Sequence, residues 1–372
     1  MAIYLDYAST TPLHPQVKQY IIELLDKFQN PSSLYQSGVD VKQIIEQARK
    51  NVAKFINADA ENIIFTSSGS ASNTLGIKGY VQEHGCYVLY SPIAHKSILK
   101  CVESCVCSFP LRVNHEGFID INDLKEWLEI RSTNPLIIIS YANSEIGTIQ
   151  GIKQIIDLIH SHNGTVMLDC TGSISTIPLD VKDLGADIVS FSAHKLGALK
   201  GCGVLYKKPS IELEPLIYGS QEAGLFSGTE NVLGIASLGK AVEEYDYSSI
   251  TSANRDYVYN YILDNIPDSY LVGAPIGEHR LAHNLYMCFK GIQGESLMIL
   301  LDMNGVQVST GSACTSGSLQ PSTTLTAIGM NEEDMNSCIR LSFGNENLSK
   351  EELDYVCKKL KECVEQLRCF SQ

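Results

Sequence analysis

The chain has 372 residues, a net charge of −14 at pH 7 and a hydrophobic content of 44%. This length suits one large domain with a smaller one, and the hydrophobic fraction is high enough for a sizeable core. An acidic protein repels the nucleic-acid backbone, so the composition argues against direct binding of DNA or RNA.

The first residues and the apolar segments give no sign of export or of membrane insertion. The opening MAIYLDYAST contains neither the basic segment nor the apolar run of a secretory signal. No apolar stretch approaches the roughly 20 residues that span a bilayer. We therefore expect a cytoplasmic protein without membrane partners. The 12 cysteines are scattered, with no Cys-x-x-Cys pair, which is typical of reduced thiols rather than of a disulfide framework or a metal site.

Hydrophobic spacing predicts helices and strands in alternation through the first two thirds of the chain. Helical spacing covers residues 15–28, 39–56, 95–105 and 152–162. Short apolar runs that predict strands lie at 63–65, 86–90, 136–141, 165–168, 188–191 and 204–206. This alternation is typical of β-α-β units, so we predict an α/β fold with a mostly parallel sheet covered by helices.

After about residue 245 the pattern changes to one typical of a smaller α+β domain. Helices are predicted at 254–266, 295–303 and 350–367, with a strand at 284–289. We therefore predict a large domain of residues 15–250. The small domain would combine residues 1–14 with residues 251–372.

Polar residues follow three of the predicted strands, at the positions where ligands of open α/β sheets bind. Asp169 ends one strand, and His194 and Lys195 follow a second. A turn containing Gly69 and Ser70 leads from a third strand into a helix. Pyridoxal phosphate (PLP) requires a lysine for a Schiff base, an acid beside its pyridine nitrogen and a helix N-terminus for its phosphate. The strand ends supply one group of each kind, so they favour a PLP site.

Motifs of one enzyme family occur in the family's order along nearly the whole chain. They are YLDYASTTP (4–12), NPSS (30–33), FTSSGSASNTLGIKG (65–79), HKSIL (95–99), NSEIGTIQ (143–150), SFSAHK (190–195), SGT (227–229), STGSACTSGS (309–318) and IRLSFG (339–344). On these motifs the sequence resembles the NifS/IscS type of cysteine desulfurase, within the class V aminotransferase group. The resemblance implies fold type I of the PLP-dependent transferases, with the cysteine loop carried by the smaller α+β domain.

The resemblance also implies catalytic and cofactor-binding roles. Lys195 matches the lysine that forms the Schiff base, Cys314 the nucleophile, and His95 the histidine that stacks on the PLP ring and moves protons. Asp169 matches the acid that pairs with the ring nitrogen. Further contacts to PLP are implied for Gly69, Ser70, Ser144, Gly172, Ser192, His194 and Thr229.

A substrate, a reaction and partners follow from the same resemblance. Arg340 matches the arginine that binds the substrate carboxylate, and Asn30 is assigned to the same substrate site. Thr229 matches a phosphate contact that comes from a second subunit, which implies a homodimer. The implied reaction takes sulfur from L-cysteine, gives L-alanine and leaves a persulfide on Cys314. The sulfur would then pass to an acceptor such as an iron–sulfur scaffold or a tRNA-thiolation relay protein.

Several positions depart from the family's pattern around the PLP ring oxygen. Ser144 stands where the family has Asn, and Gly172 stands where it has Gln. Other departures are Ala71, Thr74, Ala223 and Phe226. Lost contacts of this kind predict a loose pocket with partial PLP occupancy and slow turnover. They also predict that Ser144→Asn combined with Gly172→Gln raises the affinity for PLP.

These departures leave alternatives to a cysteine desulfurase. One is a related PLP-dependent lyase that acts on selenocysteine or another β-substituted amino acid. Another is a weakly active or non-catalytic paralogue that serves as a scaffold. Retention of the residues that carry the chemistry argues against a scaffold; these are Lys195, Asp169, His95, Cys314 and Arg340.

Overall fold

The structure, a computed structural model, describes residues 2–130, 134–310, 322–345 and 348–370. Its strands are β1 Ile3–Tyr4, β2 Ile63–Thr66, β3 Val88–Tyr90, β4 Ser108–Pro110, β5 Leu136–Ser140, β6 Thr165–Asp169, β7 Ile188–Ser192, β8 Gly203–Lys207, β9 Ser269–Leu271, β10 Asn284–Phe289, β11 Val306–Gln307 and β12 Cys338–Ser342. Its helices are α1 Pro15–Leu24, α2 Gln36–Phe55, α3 Gly69–Thr74, α4 Tyr80–His84, α5 Lys96–Val102, α6 Ile121–Ile130, α7 Ile152–Ser161, α8 Val181–Leu184, α9 Val232–Glu244, α10 Ala253–Asn265, α11 Gly294–Met303, α12 Thr323–Ala327, α13 Glu332–Asn336 and α14 Lys350–Phe370. Within these ranges, no helix has the length and apolarity that a membrane span requires.

A seven-stranded sheet with the order β2-β8-β7-β6-β5-β3-β4 forms the centre of the large domain. The pairs from β7 through β6, β5 and β3 to β4 are parallel, whereas β8 is antiparallel to both of its neighbours. Every residue of β5 and β7 is buried, as expected for strands that are covered on both faces. The predicted α/β fold with a mostly parallel sheet is confirmed.

Helices cover both faces of this sheet. The hydrophobic core on one face includes side chains of α1, α2, α7 and α9. The core on the other face includes side chains of α4, α5 and the turn between α3 and α4. Helices α2 and α9 pack so closely that a Cβ at Gly239 would lie 2.5 Å from the Cβ of Ala48. A glycine at this point of α9 therefore permits the contact between the two helices.

The antiparallel sheet β12-β10-β9 and helices α10, α11 and α14 form the small domain. In its register Tyr286 lies opposite Arg340, and Cys288 lies opposite Cys338. Strand β1 pairs in parallel with β11, and Leu5 is buried in the hydrophobic core of this domain. On this packing we propose the domain division predicted from the sequence, with residues 1–14 in the small domain.

Candidate active site

The carboxyl ends of β2, β6 and β7 lie at one edge of the large sheet. Strand β6 ends at Asp169, β7 ends at Ser192, and β2 is followed by α3. A Cβ at Gly69, the first residue of α3, would lie 3.2 Å from the Cβ of Ser192 and 3.3 Å from Oγ1 of Thr171. The first turn of α3 therefore packs directly against the ends of both other strands.

The start of α3 presents backbone N–H groups at this edge. Ser68 is the N-cap, and its Oγ accepts a hydrogen bond from a backbone N–H of the first turn at 3.2 Å. A π-helical turn joins α3 to α4, so helical backbone continues over residues 69–84. The N-terminus of such a helix favours an anion, because its free N–H groups and its dipole both point outward. Three of the residues predicted to contact PLP therefore lie together here; they are Gly69, Ser70 and Ser192.

The Asp169 carboxylate is buried, with 4% of the residue exposed. Its Oδ1 accepts a hydrogen bond from the Thr171 backbone N–H at 2.9 Å, and its Oδ2 accepts one from Asn73 Nδ2 at 3.3 Å. Both donors are neutral, and among the described residues no basic side chain forms an ion pair with this carboxylate. A buried carboxylate is costly without a positive partner. Asp169 therefore fits a cationic group of a ligand.

Asn73, which the sequence analysis did not single out, connects Asp169 to His95. Its side chain is buried, and its Nδ2 also donates to Ser97 Oγ at 3.0 Å. Its Oδ1 accepts a hydrogen bond from Ser190 Oγ at 2.5 Å. Ser97 in turn contacts the imidazole of His95, with 2.8 Å between Oγ and Nδ1. Asn73 thus holds the acid and is linked through one serine to the predicted ring-stacking histidine.

Lys195 lies in a 3₁₀ turn that directly follows β7. Its Nζ donates to the backbone carbonyls of Ala8 and Ser9, to the latter at 2.8 Å. The backbone N–H and the hydroxyl of Thr11 donate to the His194 carbonyl at 3.2 and 2.8 Å. The N-terminal segment, residues 6–11, therefore holds the lysine turn in place.

The side chain of His194 is uncharged at neutral pH. Burial, and then the charges of Lys195 and Lys200, lower its pKa to about 4. Its Nδ1 lies 3.1 Å from Thr10 Oγ1. Because Nδ1 makes this contact, Nε2 is the ring atom available for the predicted contact to the phosphate of PLP.

Arg340 on β12 contacts the same N-terminal segment from the small domain. Its NH2 group donates to Asp6 Oδ1 and to Ser9 Oγ, both at 2.9 Å, and its NH1 group donates to the Ser144 carbonyl at 3.0 Å. Its Nε is buried without a partner in the described part of the chain. A substrate carboxylate that binds this guanidinium therefore competes with Asp6 for the NH2 donors.

Comparison with known proteins identifies the family. The model for aminotransferase class-V matches residues 3–356. The chain belongs to the class V aminotransferase family. It is 38% identical over 389 residues to the cysteine desulfurase IscS of Dictyoglomus turgidum, across 99% of this chain and 96% of that relative.

Two solved structures resemble this class V aminotransferase over most of its length. One, described as a NifS-like protein, has a TM-score of 0.90 and 28% identity, and covers 99% of this chain and 100% of its own. The other, described as SspA in complex with cysteine, has a TM-score of 0.80 and 29% identity, and covers 93% of this chain and 99% of its own. The predicted family and fold type are confirmed.

Class V aminotransferases use PLP, and the strand-end residues of this one fit that cofactor. The buried Asp169 supplies the negative charge that a protonated pyridine nitrogen requires. The start of α3 supplies N–H groups for a phosphate. Lys195 follows the strand that adjoins β6, so its amine belongs to the same sheet edge. We assign PLP to this edge on these features.

Asn73→Ala is expected to weaken PLP binding in this class V aminotransferase. The change removes one of the two neutral donors of Asp169. A hydrogen bond to a charged group contributes about 1.5–3 kcal/mol, so the affinity should fall by about 10- to 100-fold. Titration of the apo-protein with PLP measures this, and Thr74→Ala on the same helix is the control. Equal affinities of Asn73→Ala and wild type would contradict the role of Asn73.

The surroundings of Gly172 bear on the gain in PLP affinity predicted for Ser144→Asn combined with Gly172→Gln. A Cβ at Gly172 would lie 2.8 Å from the Ala142 carbonyl oxygen and 3.3 Å from the Ser144 Cβ. Backbone of the segment after β5 therefore crowds the first carbon of any side chain at this position. The expectation that Ser144→Asn with Gly172→Gln strengthens PLP binding therefore loses its physical basis.

Gly172→Gln is instead expected to destabilise the protein and to lower its affinity for PLP. Overpacking against backbone costs about 1–3 kcal/mol in the free energy of unfolding. Gly151→Gln is the matched control, because a Cβ at Gly151 would meet nothing within 4 Å. Thermal unfolding and PLP titration of both variants test this. An unfolding free energy of Gly172→Gln equal to that of the control would show that residues 142–144 move aside.

Two further predicted site residues are exposed, and a third is not described. Thr229 lines a cavity of about 120 Å³ together with Phe226 and with Ser67, which directly precedes the N-cap of α3. Asn30 is exposed in the loop between α1 and α2, where its Oδ1 accepts a hydrogen bond from a backbone N–H of the same loop at 2.8 Å. Cys314 lies outside the described residues. The roles of all three stay predictions.

Proposed function

We propose that this class V aminotransferase is a PLP-dependent cysteine desulfurase, which removes sulfur from L-cysteine and leaves L-alanine. The bacterial relative is named a cysteine desulfurase, and the SspA structure is described as a complex with cysteine. The observation that carries the proposal is the buried Asp169 carboxylate. In the described part of the chain its hydrogen-bond donors are neutral, and it lies at the sheet edge to which Lys195 belongs.

Asp169 and Lys195 serve the removal of the proton from the Cα of the substrate. PLP, when bound, withdraws electrons from this carbon and makes its proton acidic. Asp169 keeps the pyridine nitrogen protonated, and Asn73 holds the carboxylate in place. Lys195 would hold the cofactor through its Nζ, and the same amine would accept the Cα proton of the substrate. The carbonyls of Ala8 and Ser9 orient this amine.

His95 is the proposed carrier of the proton at the substrate sulfur. Its Nδ1 accepts a hydrogen bond from the Ser97 backbone N–H at 3.2 Å. Because Nδ1 is an acceptor in this contact, the proton of the neutral ring lies on Nε2. His95 is also exposed, so Nε2 can exchange a proton with a bound substrate.

We assign the sulfur transfer to Cys314. Its thiolate attacks the sulfur of the substrate, an S–S bond forms, and the Cβ–S bond breaks. The electron pair of the broken bond takes up a proton at Cβ, and Lys195 returns a proton to Cα, which completes L-alanine. The enzyme keeps the sulfur as a persulfide. Only the thiolate is an effective nucleophile, so Cys314 must lose its proton first.

The partners and location remain proposals that rest on the family resemblance. We propose a homodimer in which Thr229 contacts the cofactor phosphate of the other subunit. The sulfur acceptor is a thiol-bearing protein, either an iron–sulfur scaffold or a tRNA-thiolation relay. We further propose that the enzyme is cytoplasmic.

Arg340→Ala is expected to lower kcat/KM for L-cysteine by about 10- to 100-fold. A charge-assisted hydrogen bond to a carboxylate contributes about 1.5–3 kcal/mol in a partly desolvated pocket. Steady-state kinetics measure the effect. Arg112→Ala, which removes an exposed arginine paired with Asp123, is the control. An unchanged kcat/KM in Arg340→Ala would mean that another group binds the substrate carboxylate.

The proposed function is tested by product analysis of the purified PLP-loaded protein. L-Cysteine should yield alanine and sulfide in equal amounts in the presence of a reducing thiol. Turnover of selenocysteine or another β-substituted amino acid without turnover of L-cysteine would favour the related lyase. A protein that binds no PLP and turns over none of these substrates would be the non-catalytic paralogue.

A further inference from the structure

Cys288 and Cys338 face each other across two neighbouring strands of the small domain. They are directly opposite in the antiparallel register of β10 and β12. The adjacent pair is hydrogen-bonded, since the Phe289 N–H donates to the Ser337 carbonyl at 2.9 Å. Hydrogen-bonded and non-hydrogen-bonded pairs alternate along such strands, so Cys288 and Cys338 form a non-hydrogen-bonded pair. Side chains of these pairs are the closer ones, with about 4.5 Å between the Cα atoms.

The two thiols share one hydrogen-bond acceptor. The Cys338 Sγ lies 3.1 Å from the Asp334 carbonyl oxygen, and the Cys288 Sγ lies 3.6 Å from the same atom. Both cysteines are buried, and Leu325 of α12 packs in the same small hydrophobic cluster. Asp334 belongs to α13, a helix of five residues with no buried member. The two thiols therefore contact a short helix without buried residues, and a helix of this kind unfolds locally at little cost in free energy.

The pKa values of the two thiols are shifted in opposite directions. The hydrogen bond from Cys338 lowers the pKa of Cys288 and outweighs the effect of burial; the Tyr270 hydroxyl and the Lys290 charge act in the same direction. The same contact, together with burial, raises the pKa of Cys338. Burial alone acts differently, as at Cys101, whose pKa it raises to about 11. Cys288 is therefore the nucleophile of the pair, and Cys338 holds its proton longer.

We propose that Cys288 and Cys338 are a redox-active dithiol, which a low-molecular-weight disulfide converts into a cross-strand disulfide. The Cys288 thiolate attacks one sulfur of the small disulfide, an S–S bond forms, and one thiolate leaves. Cys338 then loses its proton and attacks the Cys288 sulfur, and the second small thiolate leaves. Two protein thiols are oxidised, one small disulfide is reduced to two thiols, and the two protons released balance the charges.

The backbone geometry accommodates the product. A disulfide needs about 4.4–6.8 Å between its Cα atoms, and the spacing of a non-hydrogen-bonded pair falls inside that range. The disulfide would tie β10 to β12, the strand that carries Arg340, and would remove both thiol hydrogen bonds to Asp334. None of these sulfur atoms takes part in the proposed desulfurase reaction, so the inference is independent of it.

The test is peptide mapping after oxidation of the native full-length protein with oxidised glutathione. Cys314→Ala serves as the background, because it removes the proposed catalytic thiol. Alkylation of the remaining thiols, digestion and mass spectrometry should identify a peptide pair joined through Cys288 and Cys338. Dithiothreitol should restore both thiols. Cys101 and Cys105 are the internal control, because burial raises the pKa of both.

Two variants separate the roles of the thiols. In Cys338→Ser the second step is blocked, so Cys288 should accumulate a glutathione adduct. In Cys288→Ser the adduct on Cys338 should be less abundant than the adduct on Cys288 in Cys338→Ser, because burial still raises the pKa of Cys338 after its contact with Cys288 is lost. Joined Cys288 and Cys338 in the background protein would support the proposal even where a variant folds poorly. Oxidation of other cysteines while this pair stays reduced, or equal adducts in both variants, would overturn it.

Discussion

Lys195→Ala is expected to abolish both the covalent attachment of PLP and the turnover of L-cysteine. The variant keeps Asp169 and the start of α3, so PLP can still bind without a covalent bond, but the acceptor of the Cα proton is gone. Loss of a general base alone lowers turnover by about 10²- to 10⁴-fold. Absorbance in the visible range, and mass spectrometry after borohydride reduction, should find no PLP joined to the protein.

The control for this variant is Lys200→Ala, which removes an exposed lysine close to it in the chain. It should keep the covalent PLP and the turnover of wild type. Thermal unfolding should accompany both measurements, because Lys195 also donates to the Ala8 and Ser9 carbonyls. A borohydride-reducible PLP adduct in Lys195→Ala would show that a different lysine carries the cofactor.

Cys314→Ser is expected to stop sulfur transfer while it leaves PLP binding unchanged. A serine oxygen can neither attack the substrate sulfur as a thiolate does nor store it as a persulfide. Wild-type protein treated with L-cysteine should gain one sulfur atom on the Cys314 peptide, and the variant should gain none. Alanine release by the variant should fall to the background rate.

Cys369→Ser is the matched control, because Cys369 is an exposed free cysteine. It should retain full persulfide formation and full turnover. The buried Cys170 and Cys202 provide a second comparison, since burial raises the pKa of both thiols. Recovery of the added sulfur on one of these residues instead of Cys314 would show that the nucleophile has been misassigned.

The central strands could be predicted from the sequence because burial on both faces makes them uninterrupted apolar runs. The runs at 136–141 and 188–191 correspond to β5 and β7. Strands β4 and β9 were not predicted, because each has three residues without a fully buried one. Helix α1 ends at Leu24 rather than at residue 28, and the apolar side chains that suggested a longer helix, Leu25 and Phe28, are exposed.

The grouping of Asp169, Lys195 and Gly69 could be predicted because the ends of parallel strands share an edge. The contacts that hold these residues could not. Asn73 and Asp169 are 96 positions apart, and Asp6 and Arg340 are 334 positions apart, so only the folded chain brings them together. Glycine is ambiguous for a related reason. The missing side chain at Gly172 indicated a lost hydrogen bond, and only the folded chain shows that the Ala142 carbonyl oxygen would lie 2.8 Å from a Cβ there.

The contacts of the N-terminal segment have a consequence for how the protein is made. Asp6 pairs with Ser342, and Leu5 belongs to a core whose other members follow residue 250. Ribosomes add about 5–20 residues per second, so the first residues wait for tens of seconds before their partners exist. The large domain can form during this interval. The contacts of this segment with Arg340 and Ser342 form only after those residues have been synthesised, so the nascent chain completes its active site later than its large sheet.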